Sequence, residues 1–389
     1  MPVILSVFGT RPEAVKMCPL VREIARRPGL QGLVCVTAQH RQMLDQVLDA
    51  FNVAPDFDLG LMRPGQTPAT LTADILSAMG RVLEKTRPDL VLVHGDTTTS
   101  FAAALAAFYH RAPVGHVEAG LRSFNPSSPY PEEMNRRLTS RIASLHFAPT
   151  CENRCNLTAE GIAQGVFVTG NTVIDALQAI VRPDYTFNSP ALRALDLANR
   201  RTLLLTAHRR ENLGQPLRQI FQAVRDLALA HPDVQVVYPL HMNPAVAEPA
   251  REALGNIPGV HLLPPLDVCD MHNLMARCTL VLTDSGGLQE EAPALGKPVL
   301  VLRTETERPE AVRAGTARLA GVLTQDIYRE TERLLCDPVA YAAMAHAVNP
   351  YGDGTASQKI CDAIETYFGR TVSEPEPPMA TAVSEGILA

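Results

Sequence analysis

The run Thr283-Asp-Ser-Gly-Gly-Leu-Gln-Glu-Glu-Ala292 concentrates the chemistry of this chain. It follows an apolar, strand-like Thr279–Leu282 and opens a helix-like segment, so Ser285, Gly286 and Gly287 fall at a strand-to-helix turn. Two glycines let a ligand approach the backbone, and the free N–H groups of a helix start attract a diphosphate. About one turn further on, Glu290 and Glu291 are spaced to offer a carboxylate to a ribose diol. The combination reads as a site for a nucleoside diphosphate such as a nucleotide sugar. The plain alternative is a helix capped by Ser285 with two packing glycines.

Three more acids stand after strand-like runs or between them. Asp96 follows Leu90-Val-Leu-Val-His-Gly, Glu118 follows Gly115-His-Val, and Glu132 lies in Ser128-Pro-Tyr-Pro-Glu-Glu-Met-Asn135. Strand ends on one edge of a parallel sheet converge on one cleft, and carboxylates meeting there push one another's pKa apart, as proton transfer needs. Capping and dipole matching are the alternative roles for Asp96 and Glu132. Cations accompany them. Arg11 and Lys16 lie in Phe8-Gly-Thr-Arg-Pro-Glu-Ala-Val-Lys16, over a helix start that Pro12 favours. His208 with two arginines, in Thr206-Ala-His-Arg-Arg-Glu-Asn212, is suited to hold phosphates, and His241 also follows a strand. The first loop lacks the second and third glycines of the dinucleotide fingerprint, which counts against bound NAD. No His, Cys or acid spacing indicates a metal, so no cofactor is expected.

These residues need a scaffold that brings loop ends together, and the pattern supplies one. Strand-like Val3–Val7, Leu33–Thr37, Leu90–Val93, Val114–Val117, Leu145–Ala148 and Val166–Thr169 alternate with helical stretches. A second series runs through Thr202–Thr206, Val234–Tyr238, Val260–Leu262, Thr279–Leu282 and Pro298–Leu302. Such alternation predicts an α/β fold of two Rossmann-like domains facing across a cleft, with ligands at the carboxyl ends of the strands. Arg182–Arg200 breaks the pattern and is the expected hinge; the Pro-rich Glu374-Pro-Glu-Pro-Pro378 begins a tail expected to be disordered.

Across 389 residues, 46% hydrophobic and 20% charged side chains provide for a sizeable core. A net charge of −6 provides no field for nucleic acid, and no apolar run is long enough for a membrane span. The eight cysteines, including Cys151 and Cys155, lack metal or disulfide spacing, and the N-terminus reads as a strand instead of a signal peptide. A cytoplasmic protein is expected.

FGTRPEAVK, TAQHRQML, LVHGDTTT, GHVEAGLRS, PYPEEMNR, TAHRREN, LTDSGGLQEEAP, ERPEA and NPYGDG occur in this order. Together they closely resemble the bacterial non-hydrolysing UDP-N-acetylglucosamine 2-epimerases, from about Val3 to Phe368. The resemblance implies a GT-B-like fold whose C-terminal helix crosses back to the first domain, and a homodimer. The expected divisions are 1–175, 176–350, a returning helix in 351–370, and a tail in 371–389. The implied reaction interconverts UDP-GlcNAc and UDP-ManNAc. C2 of that sugar has no neighbouring carbonyl, so the expected route eliminates UDP across C1–C2 and adds it back to 2-acetamidoglucal. Asp96, Glu118, Glu132 and His208 then match the catalytic set, with the proton acceptor at C2 left open among the acids. Arg11, Lys16, Arg122, Ser285, Gly286, Gly287, Glu291 and Arg308 match substrate-binding positions. Gln39, His40, Gln42, Arg210 and His241 resemble a regulatory UDP-GlcNAc site, although Gly65 stands where some relatives have an arginine, with Arg63 nearby. A hydrolysing epimerase and a GT-B glycosyltransferase would share the nucleotide motifs. Two departures, Thr304 for the usual Asp (with Glu305 beside it) and the loop Ser123-Phe-Asn-Pro-Ser-Ser128, bear on finer substrate preference.

Overall fold

The computed structural model describes residues 1–37, 41–63 and 65–369, with residues 41–43 in backbone only. Two parallel sheets organise the chain. The first contains β1 (Val3–Phe8), β2 (Gln31–Val36), β3 (Phe57–Asp58), β4 (Leu90–His94), β5 (Val114–Val117), β6 (Leu145–Ala148) and β7 (Val166–Val168), in the order β3-β2-β1-β4-β5-β6-β7. The second contains β8 (Arg201–Thr206), β9 (Val234–Pro239), β10 (Val260–Leu263), β11 (Leu280–Thr283), β12 (Val299–Val301) and β13 (Ala317–Leu319), in the order β10-β9-β8-β11-β12-β13. The strand order reverses between β1 and β4 in one sheet and between β8 and β11 in the other. Ligands of open α/β sheets bind at such switch points. The loops after β1, β4, β8 and β11 carry Arg11, Asp96, His208 and Ser285.

Local signals explain the elements at these points. The helix Arg11–Arg26 begins with a capping box in which Thr10 and Glu13 exchange hydrogen bonds. Its apolar residues Ala14, Met17, Cys18, Leu20 and Ile24 fall on one buried face. It ends at Arg27, which is extended before Pro28. Glu13 does more than cap: its other oxygen accepts from Thr97 Oγ1 at 2.7 Å and Ser100 Oγ at 3.1 Å. The loops after β1 and β4 are thereby tied together across the switch point.

The chain crosses between the domains twice, and the crossings touch. Gly170 and Gly352 both have positive φ (87° and 113°), and a Cβ on Gly170 would stand 3.1 Å from the carbonyl oxygen of Tyr351. Beyond the first crossing, the helix Thr172–Ile180 turns Val173, Ile174, Ala176 and Ile180 into the first core and Leu177 into the second. The division expected at 175 therefore falls inside a helix shared by both cores. Beyond the second crossing, the helix Ala356–Tyr367 returns to the first domain, as expected. Its Ile360, Cys361, Ala363 and Ile364 join that core, Arg27 pairs with Asp362 at 2.7 Å and Glu365 at 3.0 Å, and Asp175 accepts from the backbone N–H of Ser357 at 2.7 Å.

The segment Arg182–Arg200, expected as a hinge, is strapped to the second domain. Asp270 accepts from Tyr185 Oη at 2.9 Å and from the backbone N–H groups of Asn188 and Ser189, both at 2.8 Å. Phe187 and Leu192 are buried in the second domain's core. Proline and polar residues broke the sequence pattern there without loosening the chain. Residues 370–389, including the tail, lie outside the described residues.

The returning helix is packed as core of the first domain. Ile364→Ala should cost about 2–5 kcal/mol, the range for a fully buried isoleucine. Urea unfolding measures it, and a change within about 0.5 kcal/mol would show that the helix adds nothing to that core.

Candidate active site

Glu118 is the centre of the first domain's contribution. It follows β5 with a left-handed backbone (φ 61°), a conformation that costs a non-glycine residue about 1–3 kcal/mol. The conformation directs its carboxylate back over the switch point. There Lys16 forms a buried ion pair with Oε1, and Asn171 Nδ2 donates to the same oxygen at 2.8 Å. The other oxygen faces His94 Nε2 at 3.6 Å. Burial opposes the charge on Glu118, but Lys16 and His94 outweigh it and hold the carboxyl far below its ordinary range. Burial likewise opposes the Lys16 ammonium, and Glu118 overcomes it and raises the pKa. His94 lies at the end of β4; burial lowers it to about 4, so the ring is neutral near pH 7.

Asp96 sits two residues beyond His94. Thr97 caps the following helix (Thr98–Tyr109), so capping is not the role of Asp96. Its carboxylate pairs instead with Arg136, and its carbonyl oxygen accepts from Asn135 Nδ2 at 3.0 Å. Both partners belong to the helix Glu132–Ile142, whose first residue, Glu132, is half-buried and has no hydrogen bond or ion pair among the described residues. Asp96 and the Glu132 helix thus meet through the Asp96–Arg136 pair.

The second domain brings its loops together around Asp284. This fully buried carboxylate accepts from the backbone N–H of His208 at 2.7 Å, of Arg209 at 2.8 Å, and from Asn212 Nδ2 at 3.1 Å. The loop after β8 is thereby clamped to the loop after β11. His208 stacks on the ring of His241, with centroids 5.2 Å apart and planes within 4°. Burial lowers its pKa, against the opposing pull of Asp284. The turn Ser285–Gly287 leads into the short helix Leu288–Ala294. A Cβ on Gly286 would come within 2.9 Å of the Arg308 guanidinium, so a larger residue there requires Arg308 to shift.

The paired acids after that turn separate. Glu290 points to the domain boundary, accepting from Arg308 Nε and Asn171 Nδ2, both at 2.7 Å. Glu291 instead lies 3.3 Å from His272 Nε2. Burial opposes the charge on Glu291, but His272 and the more distant Lys16 and Arg11 lower its pKa. Glu290 is therefore committed to the boundary, whereas Glu291 faces His272 within its own domain. Across the cleft, Arg11 Nη2 donates to the Leu266 carbonyl at 3.3 Å. The domains also meet where Thr150 Oγ1 donates to Glu310 at 3.1 Å and Arg313 pairs with Glu152.

A family model described as UDP-N-acetylglucosamine 2-epimerase matches residues 22–365. The chain belongs to this epimerase family. The UDP-N-acetylglucosamine 2-epimerase of Bacillus subtilis is 53% identical over 374 residues, covering 96% of this chain and 97% of that relative. Among solved structures, that of Staphylococcus aureus MnaA with UDP superimposes with a TM-score of 0.89 at 45% identity, covering 96% of this chain and 99% of the other. The Neisseria meningitidis UDP-GlcNAc 2-epimerase bound to UDP-GlcNAc gives 0.84 at 47% identity, covering 95% and 100%.

Measured against this epimerase fold, the expected residues divide. Asp96, Glu118, His208, Ser285, Gly286, Gly287 and Arg308 stand in loops that follow strands, and Arg11, Lys16 and Glu291 on the helices that open after such loops. Arg122 does not fit a substrate-binding role. Its side chain is wholly enclosed and donates to Glu160 at 2.7 and 2.9 Å and to Ser140 Oγ at 3.2 Å, bracing the loop after β5. Of the regulatory set, His241 and Arg210 are exposed near His208, whereas Gln39, His40 and the side chain of Gln42 lie outside the described residues. Thr304 and Glu305 are exposed; the acid engaged nearby is Glu307. Burial opposes its charge, but Arg308 and Arg303 bring its pKa down to about 2. Sequence reasoning missed His94, Asn171 and Arg136. For the first two a signal was present, since each follows a strand just as the selected acids do.

Three enclosed histidines of the first sheet carry a pH signature. Burial holds His94 at about 4, His116 at about 3 and His146 at about 4, against 6.5 for an unperturbed ring. Below pH 6.5 the unfolded chain therefore binds protons that the fold refuses, and stability falls until the folded rings also protonate. Between pH 7.5 and 5.5 the three should together lose roughly 4 kcal/mol. Urea unfolding at the two values reads this; equal stability would mean that these rings are charged within the fold.

Proposed function

We propose that this epimerase-family chain interconverts UDP-N-acetylglucosamine and UDP-N-acetylmannosamine without hydrolysis, by eliminating UDP and adding it back. The observation that carries the reading is Glu118, a buried carboxylate kept ionised by Lys16, opposite the Ser285–Glu291 turn. UDP and UDP-GlcNAc in the relatives' structures support the same ligands here. In the forward step a carboxylate takes the proton from C2 while the C1–O bond breaks, and the electron pair leaves with the β-phosphate oxygen. The diphosphate, held by Arg11, His208 and the Ser285–Gly287 N–H groups, stays beside the 2-acetamidoglucal. In the reverse addition the phosphate oxygen bonds C1 again and a proton reaches C2 from the other face. The two proton transfers fall to acids of the set Glu118, Asp96 and Glu132.

Incubation of UDP-GlcNAc with the protein in heavy water should yield UDP-ManNAc carrying deuterium at C2, seen by proton NMR. Protium retained at C2, or free ManNAc as the product, would overturn the scheme. Glu118→Gln and Glu132→Gln should each lower kcat by about 10² or more. Near-normal turnover in both would move the chemistry elsewhere.

A regulatory UDP-GlcNAc beside the active site is supported by the exposed His241 stacked on His208, with Arg210 close in the same loop. On this reading, pure UDP-ManNAc reacts slowly until a trace of UDP-GlcNAc is added; full-rate reversal without a lag would exclude it. A cytoplasmic homodimer fits two further features. The eight cysteines are all free, and Phe108, Tyr109, Met134 and Leu138 are exposed on two adjoining helices of the first domain.

A further inference from the structure

Asn171 joins the two buried carboxylates of opposite domains. It follows Gly170 at the first crossing and is almost wholly enclosed. One hydrogen of Nδ2 goes to Glu118 Oε1 at 2.8 Å and the other to Glu290 Oε2 at 2.7 Å. Oδ1 accepts from the backbone N–H of Val173 at 3.1 Å, and the Asn171 N–H donates to the Tyr351 carbonyl at 2.7 Å. The amide therefore has one orientation, because the reverse flip would set its oxygen against two carboxylates.

We propose that Asn171 is a positioning residue that orients Glu118 for proton transfer by linking it to Glu290 of the nucleotide-binding domain. The proposal rests on the epimerase reading above. Lys16 neutralises Glu118, but an ammonium on a flexible stem is a point charge and does not set the plane of a carboxylate. A planar amide does. Lys16 and Asn171 both engage Oε1, which leaves Oε2 without a hydrogen bond among the described residues, facing His94 at 3.6 Å. Oε2 is therefore the oxygen free to accept a proton. Glu290 lies three residues beyond the Ser285–Gly287 turn, on the helix it opens, and precedes Glu291, so a nucleotide seated there fixes where Glu290 stands. Through Asn171 that position is passed to Glu118. The acceptor is aligned when the second domain meets the first.

Three variants test this. Asn171→Ser keeps a capping oxygen for the helix Thr172–Ile180 but is too short to bridge the acids. It should lower kcat by about 10²-fold, the scale of a misaligned reacting group, while UDP affinity by calorimetry changes little. Asn171→Asp keeps shape and cap but adds a third carboxylate beside Glu118. The groups around Glu118 are Lys16 from the first helix, His94 with Asp96 beyond it, and Glu290 and Arg308 from the facing domain. A new anion among them favours protonated Glu118, so the acidic limb of kcat/KM should move to higher pH. Glu290→Ala breaks the link from the other side, and Asn171→Ser in that background should cost nothing further. Normal kcat in Asn171→Ser, an unmoved acidic limb in Asn171→Asp, or additive losses in the double variant would each overturn the proposal. So would a fall in UDP affinity as large as that in kcat. Should Asn171→Ser not fold, an unchanged kcat in Glu290→Ala overturns it alone. Wild-type protein that places no deuterium at C2 defeats the epimerase reading instead, so the two failures are distinct.

Discussion

Two acids facing each other across a domain boundary set the terms for the rest of this molecule. Glu290 is buried and Glu118 largely enclosed, and a lone carboxylate out of water is unfavourable by several kcal/mol. Each domain answers with a cation of its own, Lys16 for Glu118 and Arg308 for Glu290, and the neutral amide of Asn171 serves both. Removing one partner of such a pair typically costs about 3–5 kcal/mol, so the cations are as constrained as the acids. The environments then separate the two acids. Glu118 is lowered because Lys16 and His94 outweigh burial, whereas Glu290 is raised by burial and by Glu118, more than Arg308 and Lys16 offset. Carboxyl groups pushed apart in this way are the usual substrate of acid–base division.

The second domain answers a different constraint, that of immobilising the loops after β8 and β11. Asp284 gathers N–H donors from the loop after β8 while it sits at the end of β11. Thr206 and Thr283, neighbours across those strands, share a hydrogen bond of 2.6 Å, and Tyr238 Oη donates to the Ala207 carbonyl at 2.7 Å. His208, Arg209 and Arg210 are thus mounted on a loop already immobilised by buried bonds. On the proposed reading, less ordering remains to be done when a diphosphate arrives.

Much of the scaffold was legible because a parallel strand buried on both faces is a short apolar run, and these runs stand out between helical stretches. β1, β4, β5, β6, β8, β9 and β11 all lie where such runs occur. β3, of two residues, and β13, Ala317–Leu319, have too little apolar sequence to signal and form because an edge is available beside β2 and β12. Arg122 shows the reverse limit. Its place after Glu118 in one motif carried no information about direction, and its partners Glu160 and Ser140 are close only in the folded chain.

The sequence by itself determined the family, the two-sheet architecture and the loop ends that carry chemistry, because these follow from short motifs and local periodicity. Tertiary structure decided which of those residues act on one another. Glu290 and Glu291 are neighbours in sequence, yet one reaches Asn171 across the domain boundary and the other His272. Asn171 and Glu118 are 53 positions apart and share a bond of 2.8 Å. His94 is an ordinary strand residue until β4 and β5 lie side by side and bring its ring to Glu118. Local sequence encodes where a backbone turns. The direction of a side chain, and the charge it bears once buried, depend on neighbours that only the packed fold supplies.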